Sequence, residues 1–520
     1  MSEPVGAEPL IHGSFSRHAA ARPDAPALVH EGESVSYALL DAASDTYAAE
    51  LSARGVGLGQ IVPLVLPRSA QLVAVQLAVL KCGAAYANID AGWPAERQEA
   101  IFAQIQPKVV VTGPAGTTAA ATETLALVTE RVADAAARST GFTPAGVTGA
   151  DPATVFFTSG TTGGPKGVVV PHRAVTRLFA PGGLAGFGPG HVTPQAAALA
   201  WDMYAFELWG QLSSGGCALL VPQGHLLPGT LRELIRDAGV DTVWLTTSLF
   251  NLFVDEDVDC FAGLRQMLIG GEKLSAAHVR GFLERHPSIP LRNGYGPAEN
   301  CMLTTTHLIS PQDCDIAEGI PVGSAVPGTT VLILSETDAP CAPGETGEVC
   351  IAGTGLAVSY LDQPEMTAEK FPSVTIDGAP VRIYRTGDLG FVDERGVLHF
   401  RGRRDRQVKI SGYRIELAEI EIAARGVEGV RECIVVPLST PEGQVSGLAL
   451  FYVAEPAGRE ADAPDVLGEQ ELRAGLARLL PAYLVPGVVR RLDRFPVTAN
   501  GKADQAELRR LAKKSRRGRS

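Results

Sequence analysis

The sequence predicts an α/β protein. It has a large N-terminal domain of mixed and parallel β-sheets with flanking helices, and a small α+β C-terminal domain. Short apolar runs alternate with helical patterns over the first 400 residues, as expected of strand–helix units with mostly parallel sheets. The pattern changes after the polar stretch Arg403-Arg-Asp-Arg406. Domains are therefore expected over residues 1–404 and 405–520, the second spanning about 115 residues, within the usual domain range.

The elements follow in order. Ile61-Val-Pro-Leu-Val-Leu66 reads as a buried strand, and Ala70-Gln-Leu-Val-Ala-Val-Gln-Leu-Ala-Val-Leu80 as a helix. Lys108-Val-Val-Val-Thr112, Ala153-Thr-Val-Phe-Phe157, Asp241-Thr-Val-Trp-Leu-Thr246 and Leu264-Arg-Gln-Met-Leu-Ile269 read as further strands. The Ala/Thr-rich stretch Ala115–Ala137 reads as a helix with a variable loop. Gly344–Gly353 and Gly396–Gly402 resemble antiparallel hairpin strands. In the small domain, Gln407–Ser411, a helix around Glu416–Ala424 and Glu432–Pro437 suggest a β-α-β unit, followed by the strand Leu448–Val453 and the helix Glu469–Leu480.

Composition excludes several classes. The chain has 520 residues and a net charge of −12, which argues against a general nucleic-acid binder. The basic stretch Lys513–Ser520 reads as a solvated end, with contact to an acidic partner as the alternative. The eight cysteines form no Cys-x-x-Cys pair, so reduced thiols and a cytoplasmic location are expected. No signal peptide is read at the N-terminus, and no apolar run reaches the ~20 residues of a membrane span.

The chemistry begins at Thr158-Ser-Gly-Thr-Thr-Gly-Gly-Pro-Lys-Gly167, directly after a strand-like run. Glycines let backbone approach a ligand. Successive N–H groups and hydroxyls make an anion-binding concavity, with Lys166 as counter-charge. The loop is not a Walker A motif, because Lys166 follows Pro165 and precedes Gly167. Alone, the loop is matched by a flexible surface loop. The other segments are Trp201-Asp-Met-Tyr-Ala-Phe-Glu-Leu-Trp209, Asn293-Gly-Tyr-Gly-Pro-Ala-Glu-Asn300, Tyr384-Arg-Thr-Gly-Asp-Leu389, Gly402–Glu416 and Asn500-Gly-Lys502. With this set, in this order and spacing, the chain resembles the adenylation domains of nonribosomal peptide synthetases, within the adenylate-forming enzymes. The resemblance runs from about Ser36 to Lys502.

The resemblance implies that fold and its reaction. A carboxylate is activated with ATP and Mg²⁺ to an acyl-adenylate, then passed to the phosphopantetheine thiol of a carrier protein. Thr158, Ser159, Gly160, Thr161, Thr162, Gly163 and Lys166 would hold the phosphates, and Gly271, Glu272, Asn293, Gly294, Tyr295 and Gly296 would line the nucleotide site. Tyr295 would stack on adenine, Asp388 would accept from the ribose hydroxyls, and Arg403 would reach ribose or phosphate. Glu299 would contact Mg²⁺; a helix N-terminal acid is the plainer alternative. Lys502, otherwise a solvated lysine, matches the catalytic lysine that bridges carboxylate and α-phosphate. It lies on the small domain, which is mobile in the family, with Asp405 at the hinge. Gly412 would leave room for pantetheine.

Asp202 is expected to pair with a substrate α-ammonium; its plainer role is to cap the helix beginning near Met203. On the family's pattern Met203, Phe206, Trp244, Leu268, Gly270, Gly294, Met302 and Leu303 complete the substrate pocket with Lys502. That set carries no charge, and its one polar atom is the Trp244 indole N–H, which disfavours charged side chains. The expected substrate is a small-to-medium aliphatic L-amino acid, valine first, then isoleucine, leucine or 2-aminobutyrate. Met302 and Leu303 depart from the Thr-Phe-like pair of valine pockets, which admits an unusual branched or non-protein amino acid. Asn88 stands where the pattern has proline, and reads as structural. The chain ends about 18 residues after Lys502, so a free-standing enzyme loading its carrier in trans is expected, with a small MbtH-like protein as a candidate activator. The rival readings are an acyl- or aryl-CoA ligase of the same superfamily and a non-catalytic scaffold.

Overall fold

A computed structural model describes residues 9–113, 123–126, 131–160, 164–222, 226–440, 444–455, 467–496 and 503–517. Thr161, Thr162, Gly163 and Lys502 lie outside these residues, as does much of the Ala115–Ala137 stretch. The chain forms two compact units. One comprises Met1–Ala91, Phe102–Phe157 and Gly167–Arg404; the other comprises Gly92–Ile101, Thr158–Lys166 and Asp405–Ser520.

The first unit is built on four sheets. A seven-stranded sheet runs in the order 359–360, 166–171, 152–158, 85–88, 61–65, 109–112, 123–126. Its strands from 152–158 to 123–126 are parallel. Every residue of Val109–Thr112 is buried, as the continuous apolar runs of a doubly covered parallel sheet require. The helix Ala70–Lys81 is buried all round except at Gln71; the Ser69 side chain caps it by accepting from the Leu72 N–H. Among the described residues of the Ala115–Ala137 stretch, 123–126 is a strand, which the expected helix with a variable loop did not include, and Val132–Ala137 is helical.

A second sheet places 242–246, 266–270 and 291–295 in parallel, then adds 305–308 and 324–325 antiparallel. Helices Thr247–Asp257 and Ala276–Arg285 make the parallel crossovers. In a third, the parallel strands 192–195 and 217–220 are connected through the helix Asp202–Leu212. The fourth is antiparallel. Strand 379–392 pairs antiparallel with 347–353 and 398–403, so both segments expected to be antiparallel hairpin strands are antiparallel strands, one on each side of it.

In the second unit, Val408–Ile410 and Tyr413–Ile415 form a two-stranded hairpin. Its turn residues Ser411 and Gly412 both have positive φ, 51° and 84°, the geometry favoured by two-residue hairpins. Gly412 is thus also demanded by the turn. Strand 430–439 pairs antiparallel with 445–454, which pairs in parallel with 488–491. The expected β-α-β unit is therefore overturned. The strands on either side of helix Leu417–Arg425 lie in different sheets, because 430–439 is captured by its sequence neighbour.

A buried cation ties the first unit's helices together. Lys81 is 2% exposed, and its Nζ lies 2.7 Å from Asp41 and 2.6 Å from Asp45 on the helix Tyr37–Ala53. Lys81→Met is expected to cost about 3 kcal/mol, since two carboxylates lose their shared counter-charge. Urea unfolding followed by tryptophan fluorescence measures the loss, and a change below about 1 kcal/mol would mean the pairs act like exposed ones.

Candidate active site

Asp202 opens the helix Asp202–Leu212, and Trp201 occupies the cap position. The expected alternative, Asp202 as helix cap, is therefore displaced by one residue. The carboxylate instead sits in the buried first turn, where the helix dipole favours negative charge. Met203 and Phe206, next on the helix, share one buried cluster with Trp244, Leu268, Met302 and Leu303. Trp244 and Leu268 are register partners on neighbouring parallel strands, as are Gly270 and Gly294. The Phe206 and Trp244 rings meet edge-on with centroids 6.3 Å apart.

The two glycines are dictated by close approach. A Cβ at Gly270 would lie 2.1 Å from the Gly294 carbonyl oxygen and 2.9 Å from the Trp244 ring. At Gly294 it would lie 2.9 Å from Leu303 Cδ2. The Trp244 indole nitrogen is buried with no hydrogen-bond partner among the described residues.

Cys301 and Met302 both have positive φ, 49° and 72°, a backbone that costs roughly 1–3 kcal/mol per residue unless the surroundings enforce it. Arg177 enforces it by donating to the carbonyls of Asn300 (2.9 Å) and Leu303 (2.7 Å). Burial lowers the Arg177 pKa to about 10. Burial also pushes the Cys301 thiol up, against Arg177 and with help from Asp202.

The expected nucleotide residues of this unit converge on one carboxylate. Asp388 and Arg403 are register partners on adjacent strands. Arg403 donates to Asp388 Oδ1, and the Tyr295 hydroxyl donates to Oδ2 at 2.5 Å. Asp388 thus lies within a strand, not in a turn, with both oxygens engaged. Arg403, expected to reach for ribose or phosphate, rests on Asp388. Burial, then Asp388, raises the Tyr295 hydroxyl well above its ordinary value. Thr386, which sequence reasoning missed, accepts from the Asp388 N–H at 2.9 Å.

Asn293 donates to the Pro321 carbonyl at 2.8 Å. A Cβ at Gly296 would stand 2.3 Å from the Met302 carbonyl. Gly271 has φ +89°, and Glu272 accepts from Ser248 at 2.8 Å.

Glu299 is fully buried on the single turn Ala298–Asn300 and accepts from the Tyr360 hydroxyl at 2.8 Å. Tyr360 lies 61 residues away, and no local signal marked it. Among the described residues no cluster of three or more candidate metal ligands exists. Mg²⁺ is commonly held by one or two carboxylates plus substrate phosphates and water, and a single hard oxygen ligand such as Glu299 fits that mode.

In the second unit, the expected phosphate loop already holds an anion. The Gly160 N–H donates to the Glu419 carboxylate at 3.1 Å, and Arg97 pairs with the same carboxylate at 2.9 Å. Ser159 Oγ donates to the Arg414 carbonyl at 2.5 Å and accepts from the Glu416 N–H at 3.2 Å. The Thr158 hydroxyl is buried without a partner among the described residues. A Cβ at Gly160 would sit 2.3 Å from the Gly164 carbonyl, so the turn needs glycine. Lys166 is buried at the start of strand Lys166–Pro171. Asp405 begins the last segment of this unit, and its side chain accepts from the Gln407 N–H at 3.2 Å.

A family model described as AMP-binding enzyme matches residues 15–361, and one described as AMP-binding enzyme C-terminal domain matches 419–502. Malpibaldin synthetase of Mortierella alpina is 36% identical over 97% of this chain and 9% of its own length. Tyrocidine synthase 3 of Brevibacillus parabrevis is 35% identical over 96% and 8%. The chain thus spans less than a tenth of these two curated relatives. Among solved structures, holo-PA1221, a nonribosomal peptide synthetase protein containing adenylation and PCP domains bound to a vinylsulfonamide inhibitor, is 34% identical. It aligns with TM-score 0.86 over 97% of this chain and 84% of that one. A second PA1221 structure gives 33% and 0.82, covering 97% of both chains.

The segment leading to Asp202 is pinned by a second buried carboxylate. Glu207 accepts from the N–H groups of Ala196 and Ala197, both at 2.8 Å, and Arg68 donates to the carbonyls of the same two residues. Burial raises Glu207 to about 7, with the Ala197 N–H and Arg68 opposing. The folded protein therefore binds this proton more tightly than the unfolded chain. The contribution is full below about 4.5 and is lost as pH rises through about 7. Stability is expected to fall by about 3 kcal/mol relative to Glu207→Gln between pH 4.5 and 8. Denaturation of both proteins across that range tests this, and parallel curves would refute it.

Proposed function

This chain belongs to the AMP-binding enzymes, as an adenylation domain of the nonribosomal peptide synthetase kind, and on that premise we propose that it activates an aliphatic L-amino acid. The substrate is of small-to-medium size, with valine the first choice. The observation that carries this reading is a buried carboxylate, Asp202, at the start of the helix whose Met203 and Phe206 share one core cluster with the uncharged side chains expected to form the pocket. A substrate ammonium would pair with the Asp202 carboxylate. A charged side chain would find no partner among Met203, Phe206, Trp244, Leu268, Met302 and Leu303.

In the first step a substrate carboxylate oxygen attacks the ATP α-phosphorus in line. A new O–P bond forms, the bond to pyrophosphate breaks, and aminoacyl-AMP results. Catalysis here is positioning and charge neutralisation. Residues 158–163 and Lys166 cradle the phosphates, an assignment supported by the anion already bound at the Gly160 N–H. Tyr295, Gly271, Glu272, Asn293 and Gly296 border the nucleotide, and Asp388 with Arg403 receives the ribose. Lys502 bridges the carboxylate and α-phosphate. Mg²⁺, held through Glu299, would supply charge neutralisation at the phosphates.

In the second step the pantetheine thiol of a carrier protein attacks the acyl carbonyl. A C–S bond forms, the C–O bond to AMP breaks, and the thiol proton is released. Rotation of the small domain about Asp405 separates the two steps. The carrier acts in trans, and an MbtH-like protein is a candidate activator. The similar PA1221, which contains adenylation and PCP domains, supports the carrier partner.

ATP–pyrophosphate exchange across the proteinogenic amino acids, 2-aminobutyrate and simple aryl acids tests this reading. The expected peak is an aliphatic amino acid, with near neighbours separated by roughly 10–200-fold at best. Lys502→Ala should lose the signal. Asp202→Ala should lose the amino acid while sparing a simple carboxylic acid. A peak at an aryl or charged acid would overturn the pocket assignment, and silence even with an MbtH-like protein present would overturn the activity.

A further inference from the structure

We infer that Asn88 is a positioning residue for Asp202, acting through the backbone segment that delivers it. The inference rests on the reading of Asp202 as the ammonium anchor. Asn88 closes the strand Ala85–Asn88 and is 5% exposed. Its Nδ2 donates to the Leu199 carbonyl at 2.9 Å, three residues before Asp202. Its Oδ1 accepts from Gln76 Nε2 at 2.9 Å. Gln76 Oε1 in turn accepts from the Tyr204 hydroxyl at 2.9 Å, two residues after Asp202.

These bonds form a relay with one polarity: Tyr204 to Gln76, Gln76 to Asn88, Asn88 to Leu199. The donor and acceptor in each amide are fixed by its neighbours. The relay grips the chain on both sides of Asp202 and anchors it to the buried helix Ala70–Lys81 and the central sheet. Between the grips the backbone turns through Trp201 N–H to the Ala198 carbonyl and Tyr204 N–H to the Trp201 carbonyl, at 3.0 and 3.1 Å. Gln76 is fully buried and Tyr204 is 1% exposed. Two buried amides cost free energy unless paired; linked as here, they rigidify the segment. Proline at position 88, as the family's pattern has it, would offer neither side-chain donor nor acceptor. The departure at Asn88 therefore creates a grip on the Asp202 segment, beyond a local packing choice.

The test combines kinetics with hydrogen exchange. In Asn88→Ala, the amino-acid KM in the exchange assay is expected to rise about tenfold, as for one lost hydrogen bond, with the ATP KM and kcat within about twofold. Preference for the amino acid over its des-amino carboxylic acid should fall with it. Tyr204→Phe, which frees only the far end, should raise the amino-acid KM about threefold; it carries the kinetic test if Asn88→Ala does not fold. Amide hydrogen exchange over residues 198–204 should quicken in either variant with no substrate present. An unchanged amino-acid KM, or amino-acid and ATP KM values rising together, overturns the inference. If the unmodified chain activates no amino acid, the functional reading fails, and the exchange data alone decide whether the relay holds the segment. Unchanged protection over 198–204 would then overturn it.

Discussion

A carboxylate removed from water must find donors or a counter-charge, and the first unit is arranged around that demand. Asp388 takes Tyr295 and Arg403, Glu299 takes Tyr360, and Glu207 takes two backbone N–H groups. Each partner comes from a different strand, turn or loop. The charges therefore fix how the sheets meet as much as the apolar core does. Arg177 meets the same demand with opposite sign, giving its protons to the carbonyls of a turn that would otherwise be strained.

Close backbone contact is the second organising factor. Gly270 and Gly294, register partners on neighbouring strands, let the Trp244 ring, the Leu303 side chain and backbone close tightly on the wall of the proposed pocket, while Gly296 admits the Met302 carbonyl.

Much of this was legible because the residues are contiguous. The proposed phosphate loop, the Trp201–Trp209 segment and the Asn293–Asn300 turn each hold their motif within ten residues or fewer. The partners were not legible. Tyr360 reaches Glu299 across 61 residues, and Asn88 reaches Leu199 across 111; such pairings are set by sheet order, which no local period encodes. Asn88 looked like a structural substitution because its acceptor is a backbone carbonyl, which has no sequence signature. The expected β-α-β pairing over 407–437 fails for a related reason. An apolar run of six residues fits either a parallel partner across a helix or an antiparallel partner next in sequence. The short connection to 445–454 selected the latter.

One neighbour of the pocket bears on side reactions. Cys301 stands beside Met302 in the wall, fully buried, its thiol held protonated by its surroundings. The thiolate is the nucleophilic form of cysteine. An enzyme that forms a mixed anhydride at this position would therefore be shielded from acylating itself. The same burial that packs Cys301 would keep the activated acyl group available for an incoming thiol that arrives from solvent.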